Sequence, residues 1–193
     1  MGGPTPLAVT GNADADALLN RDPLALLLGM LLDQQVPMEW AFMGPYTLEQ
    51  RLGHLDATRI VAAGPEALST AFCAKPALHR YPASMANRAF ALCSHLALEY
   101  GGRAAGVWQD AETGGELYRR LRALPGFGDE KAKIFLAVLA KRCGIAPSGW
   151  AEHALPFSDT TPRSVADIDG PDALERVRAW KKQQKAKGKG KQD

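Results

Sequence analysis

With 193 residues and 46% hydrophobic content, the chain is long enough for one globular unit or two small lobes sharing a core, and it needs no covalent staples to fold. Its longest apolar run, Leu24 to Leu32, is about half the roughly 20 residues that a bilayer span requires, which excludes a membrane-crossing helix there. The net charge of +2 conceals an uneven distribution, because the last 13 residues, KKQQKAKGKGKQD, hold six lysines and one aspartate and leave the remainder slightly acidic.

The start, MGGPTPLAV, lacks a basic region ahead of an apolar stretch and does not read as a secretory signal. Pro6 stands where a myristoylation acceptor pattern wants Ser or Thr. Cys73, Cys93 and Cys143 match neither a zinc spacing nor the close spacing of an iron–sulfur cluster, and are expected to be buried free thiols in a reducing cytoplasm.

Helical patterns recur along the chain and strand patterns are almost absent, so the expected fold class is all-α. ADADALLN suits a short first helix. In DPLALLLGMLLDQQV, Asp22 is placed to cap and Pro23 to occupy the first helical position, and the apolar character on every side marks this helix as central. Its polar end, Asp33-Gln34-Gln35, is the odd part. A third helix is expected from Met38 toward Leu52, kinked or split at Pro45. Asp56 caps a fourth, which Gly64-Pro65 ends, and PEALSTAF begins a fifth. From Ala83 to Tyr100, Met85, Ala89, Leu92, Leu96 and Tyr100 fall at helical spacing ahead of Gly101-Gly102. Leu117, Leu121 and Leu124 then share a face, and after LPGFG the segment DEKAKIFLAVLAKRCG carries Phe135, Val138 and Leu139 as its stripe. Residues 145–170 read as a connection of unusual length, and Pro171 opens a last helix with Leu174 and Val177 inward. Beyond residue 180 the lysine-rich tail, 181–193, is expected to be disordered and open to an anionic partner.

The stretch LPGFG joins two helices. Its glycines can expose backbone N–H groups, and those donors at a helix N-terminus form an anion site without side-chain charge. Phe127 is expected to turn inward as a latch, while Lys131 and Lys133 attract a phosphodiester backbone.

Leu124-Pro125-Gly126-Phe127-Gly128-Asp129-Glu130-Lys131-Ala132 resembles the hairpin of the helix-hairpin-helix base-excision DNA glycosylase superfamily, and LLGMLLDQQV resembles that family's early buried helix. The resemblance covers roughly residues 22–153. It implies a two-lobed helical glycosylase fold without an iron–sulfur cluster. A segment 1–21 would pack with the C-terminal lobe, 22–144 would form the core with the hairpin at 124–132, and 145–180 would hold a loop and the last helix. It further implies DNA contacts at Gly126, Phe127, Gly128, Lys131 and Lys133, and a base pocket involving Gln34, Gln35 and His153. No cofactor is implied beyond a sodium or potassium ion held by the Leu124 and Gly126 carbonyls. The implied partner is double-stranded DNA carrying a damaged base or an abasic site, bound by a cytoplasmic monomer, associated with the nucleoid if the source is bacterial.

The chemistry departs from the family pattern at two points. The lyase members' lysine position holds Glu130, and Lys131 next to it points about 100° away on a helix, which argues against efficient strand cleavage. The downstream aspartate position falls on Ser148 to Trp150, none of them acidic. Glu152 lies one residue from the expected acid, and Asp33, Glu130 and Asp159 are the other candidates for a carboxylate that stabilises an oxocarbenium-like sugar or activates water. The expectation is thus a monofunctional glycosylase. Its alternative is a damage-recognition or structure-specific DNA-binding protein with a vestigial site. A third class, in which the hairpin packs against protein, would show no DNA affinity. Uracil, thymine mismatches and alkylated purines all remain open as lesions.

Overall fold

Asp22 does what its place ahead of an apolar run suggests: Oδ1 accepts from the N–H groups of Leu24 and Ala25, and Pro23 opens the helix behind it. The structure, a computed structural model, describes residues 4–192. It is all-helical, with no strand among the described residues and a lone bridge between Thr113 and Ser148. The chain divides into two compact units, Asn12–Gln109 with Leu124–Gly126, and Met1–Gly11 with Asp110–Ala123 and Phe127–Asp193.

The first unit is built on α2 (Pro23–Leu32), which is buried at every position from Leu24 to Leu32 and packs on α3 (Met38–Leu52). Helix α1 (Ala13–Arg21) packs on both. Helix α3 is not split at Pro45 but runs through it, and the ring removes the N–H from which the Ala41 carbonyl would otherwise accept. Helices α4 (Ala57–Ala63), α5 (Pro65–Cys73) and α6 (Pro82–Tyr100) complete this unit, with Met85, Ala89, Leu92 and Leu96 inward from α6 as their spacing suggests. Arg51 on α3 donates to the carbonyls of Ala71 (2.6 Å) and Pro76 (2.7 Å), which pins the loop between α5 and α6.

The second unit is built on the pair α7 (Gly114–Ala123) and α8 (Asp129–Cys143), joined by the LPGFG loop. Burial on α8 is wider than the expected stripe and takes in Ile134 through Leu139. The long connection 145–170 holds a short helix α9 (Trp150–His153) and a 3-10 turn at Val165–Asp167. It is tied down from α8: Lys141 Nζ lies 2.7 Å from both the Asp159 carbonyl and Asp167 Oδ1, and Arg142 Nε donates to the Ala166 carbonyl at 2.7 Å. The last helix, α10 (Pro171–Ala186), continues past the expected end at residue 180. Lys, Gln and Ala are good helix formers, so the tail's composition supports six more helical residues rather than ending the helix. Of the expected N-terminal segment, Thr5 belongs to this second unit through its carbonyl, which accepts from Arg142 at 3.5 Å, whereas α1 packs in the first.

Of the three free cysteines only Cys93 is buried, and burial pushes its thiol up to about 12; Cys143 is half-buried and Cys73 exposed, which corrects the expectation for that residue. No helix among the described residues is long and apolar enough to cross a membrane.

Candidate nucleic-acid interface

In the first unit, α2 ends in a sharp reversal. Asp33 has φ −71° and ψ 70°, and the Gln34 N–H bonds the Leu32 carbonyl at 2.7 Å, the geometry of an inverse γ-turn. Gln35 follows in the left-handed region at φ 58°, an uncommon conformation for a residue with a side chain. The reversal places both glutamines at the rim of a cavity of about 240 Å³, whose lining also includes His79, Tyr81 and Arg88.

Gln34 is held on three sides: its Nε2 donates to the Leu31 carbonyl (2.8 Å), its Oε1 accepts from Arg88 Nη1 (2.9 Å), and its carbonyl meets His79 Nε2 at 2.9 Å. The Tyr81 N–H donates to His79 Nδ1 at 3.0 Å, so the hydrogen-bond network assigns the ring proton to Nε2. His79 is buried, yet its aromatic neighbours are not: Trp40 is 42% exposed with its ring 6.4 Å from the imidazole, and Tyr81 is 45% exposed with its ring 6.2 Å away. The Arg80 guanidinium lies 5.5 Å from the Tyr81 ring centroid. Exposed aromatic faces beside amide and guanidinium groups are the parts a protein uses to stack and read an unstacked base.

The hairpin turn begins with Leu124–Gly126 in the first unit and continues from Phe127 in the second. Gly126 has φ 83°, and a Cβ there would lie 2.5 Å from Leu31 Cδ1, so both backbone conformation and packing require glycine. Gly128 differs. Its φ of −76° suits any residue, and an added Cβ would have nothing within 4 Å. It is the N-cap of α8 and supplies no side-chain cap to the opening turn of that helix. Phe127 is buried and meets Phe135 edge-on at 5.8 Å, so it serves as the expected latch and has only its backbone to offer a ligand. Lys133 is paired with Asp129 at 3.1 Å, and Lys131 Nζ lies 6.0 Å from the Phe127 ring centroid.

The carbonyls of Leu124 and Gly126 are oxygen donors of the kind a hard cation takes. Arg122 Nη1 donates to the Phe127 carbonyl at 3.4 Å and already brings positive charge to the same loop. The described residues hold no group of three or more His, Cys, Asp or Glu side chains placed to bind a metal.

No protein-family model matches this chain, and no curated protein does.

The four candidate acids occupy different settings. Asp159 is committed to local structure: Oδ1 accepts from the Thr161 N–H at 2.9 Å and Oδ2 from Arg163 Nη2 at 2.6 Å. Glu130 faces Lys191 at 3.4 Å. Asp33 is half-buried at the end of α2, and its carboxylate has no hydrogen bond or ion pair among the described residues. Glu152 is likewise unpaired among them, and exposed on α9.

Helix α9 is seated on the start of α7 by features that the sequence reading passed over. A Cβ on Gly114 would lie 2.4 Å from Trp150 Cα, and one on Gly115 would lie 2.9 Å from His153 Nε2. The Gly114 N–H bonds the Ser148 carbonyl at 2.7 Å. His153 stacks on Tyr118, whose hydroxyl donates to Asp129 at the start of α8, so the segment bearing Glu152 is linked through one ring to the hairpin helix. The Tyr118 hydrogen bond, followed by the Lys133 ion pair, holds the Asp129 carboxyl below the usual range, while the same bond pushes the Tyr118 hydroxyl up. His153, expected in a base pocket, is therefore a packing partner of Tyr118. Tyr81 and Arg88 join the pocket residues, and Trp40 stands beside His79 outside the cavity lining; the pairing of aromatic and cationic residues in HRY was the signal for Tyr81.

Proposed function

We propose that the protein is a monofunctional base-excision DNA glycosylase, which binds duplex DNA through the α7–α8 hairpin, extrudes a damaged or deaminated base, and hydrolyses its N-glycosidic bond. The observation that carries the reading is Gly128. No described residue lies within 4 Å of a Cβ placed there, and a glycine at the N-cap leaves room for a phosphate to approach the opening turn of α8. The cavity beside Trp40 and Tyr81 supports the second part, since an extruded base needs aromatic faces and an amide to receive it.

Glu152 is our choice for the carboxylate. It is exposed, unpaired among the described residues, and tied through His153 and Tyr118 to the hairpin helix. Its negative charge would stabilise the cationic sugar as the glycosidic electrons leave with the base, and would orient the water whose oxygen bonds C1′. Asp33 is the second choice, because it too is unpaired and lies beside the glutamines. A loop-held monovalent ion, if bound, would add positive charge toward a phosphate; no step here depends on it. Glu130 at the lyase lysine position supports strand cleavage by alkali rather than by the protein.

One observation favours the non-catalytic alternative: residues 148–150 are Ser, Gly and Trp, so no acid occupies the family position. A base-release assay decides. Labelled duplexes carrying uracil, a T:G mismatch, hypoxanthine, 8-oxoguanine or an alkylated purine are incubated with the protein, with and without alkali, alongside Glu152→Gln, Asp33→Asn, Glu130→Gln and Asp159→Asn. The expected result is alkali-dependent cleavage that Glu152→Gln abolishes. Absence of release from every duplex, with tight binding to an abasic analogue, would replace the glycosylase by a recognition protein.

A further inference from the structure

The tail that the sequence leaves as a disordered run is folded back beside the hairpin helix. Lys191 Nζ lies 3.4 Å from Glu130 Oε1, on the opening turn of α8. The Lys191 carbonyl accepts from Arg163 Nη1 at 3.3 Å. Arg163 is buried, bonds Asp159 through Nη2, and has its guanidinium 5.1 Å from the Trp180 ring centroid on α10. The Lys189 N–H bonds the Gln184 carbonyl at 2.9 Å, closing the turn after the helix. Arg163 and Glu130 therefore fasten the end of the chain in place.

Lys191 is the one lysine of this stretch seen paired with an acid among the described residues. After Glu175, α10 and the residues following it contain no acid through residue 192. Lys182, Lys185, Lys187 and Lys189 are exposed and have no acidic partner among the described residues. Arg178, Lys182 and Lys185 stand at i, i+4 and i+7 and so share one flank of the helix, where like charges repel. The helix dipole favours cations only in the last turn, which accounts for Lys185 and not for Lys182. An external polyanion relieves the four lysines.

We propose that α10 from Lys182 onward, with residues 187–191, is an arm that binds the phosphodiester backbone of duplex DNA and supplements the hairpin contact. This inference rests on the DNA-binding reading above and is independent of whether the base is excised. Residues 182–191 hold no Leu, Phe, Tyr or Trp, so the arm lacks the apolar face by which a basic helix enters a lipid surface. It also offers no aromatic ring for stacking the bases of single-stranded RNA, whereas closely spaced lysines suit a backbone recognised by charge alone.

The test is the salt dependence of binding to a short, undamaged, fluorescein-labelled duplex, read by anisotropy. Each phosphate contact contributes about 0.9 to the slope of log Kd against log salt concentration, so Lys182→Gln/Lys185→Gln/Lys187→Gln/Lys189→Gln is expected to lower the slope by about 3 to 4. Glutamine keeps helix propensity, and circular dichroism with thermal melting checks that the variant folds. Truncation after Ala186 removes Lys187, Lys189 and Lys191 and is expected to lower the slope by about 2 to 3. An unchanged slope in both proteins overturns the arm, as does tighter binding of the wild type to phosphatidylserine vesicles or single-stranded RNA than to the duplex in the same salt. Base release by the same proteins separates the two readings. Release with an unchanged slope removes the arm alone, and a lowered slope without release by any protein supports the arm while removing the glycosylase.

Discussion

The imidazole of His153 lies over the ring of Tyr118, with centroids 6.3 Å apart and planes 20° from parallel, and the Tyr118 hydroxyl reaches on to Asp129. Three helices meet at this one tyrosine: α9 through the stack, α7 through its backbone, and α8 through the carboxylate. The consequence is that the position of Glu152, on a helix of four residues, is set by contacts to α7 rather than by the helix itself.

Gly114→Ala tests that seating. The new Cβ would fall 2.4 Å from the Trp150 Cα, and backbone cannot move aside as a side-chain tip does. Overpacking of this kind typically costs about 1–3 kcal/mol, which thermal or denaturant unfolding would register. If Glu152 is the catalytic acid, base release should fall further than the lost stability explains; equal activity at full folding would separate α9 from the chemistry.

Tyr118→Phe removes the hydrogen bond and keeps the stack. The bond is part-buried, so its loss should cost about 1 kcal/mol. Its pH dependence is the sharper readout. Asp129 has a lowered pKa, so its contribution is complete above the unfolded value of about 4 and is lost as pH falls through the folded value. Tyr118 has a raised pKa, so its share is complete below about 10 and is lost at higher pH. The stability difference between wild type and variant should therefore be greatest between those limits and shrink on both sides; a constant difference across the range would mean that the bond contributes nothing.

Gly126 and Gly128 should behave oppositely. Gly126→Ala forces a side chain into the left-handed region and against Leu31, at a cost of about 1–2 kcal/mol or more. Gly128→Ser fits the backbone and adds an N-cap, so stability should rise by a few tenths of a kcal/mol, about the margin of Ser over Gly at this position. The same hydroxyl occupies the N–H donors offered to phosphate, and affinity for duplex DNA should drop about tenfold, or about 1.4 kcal/mol. Unchanged DNA binding in a stabilised Gly128→Ser protein would remove the phosphate role.

Trp40→Ala and Tyr81→Ala address the cavity. Both side chains are substantially exposed, so the variants should melt close to the wild type. Base–aromatic stacking is worth about 1–3 kcal/mol per base, so binding to a duplex with an extruded base should weaken by that amount for at least one of them. Binding to an undamaged duplex should not change. Equal weakening on both duplexes would place the aromatics outside the base contact.

The amino-acid sequence by itself determined most of the helices and several of their ends, because the signals are local. Asp22-Pro23 and Asp56 cap helices that begin at the next residue, and Gly101 closes α6, each through contacts within a few residues along the chain. It also determined that Phe127 turns inward and that a turn with glycines opens α8. The lysine tail misled for a related reason: lysine is equally at home in solvent and in a helix, and composition does not choose between them.

Tertiary structure decided which distant groups meet. Lys191 and Glu130, His79 and Gln34, and Lys141 and Asp167 are pairs of ordinary polar residues with no periodic pattern to announce them. The same holds for the acids. By sequence Glu152 lay nearer the expected acid and Asp159 was a more distant candidate, and only the folded chain surrounds Asp159 with Thr161 and Arg163 while leaving Glu152 exposed and unpaired among the described residues. Local patterns reflect the free energy of one segment, whereas a pairing across tens of residues depends on how all the segments pack, and that choice exists only in the assembled fold.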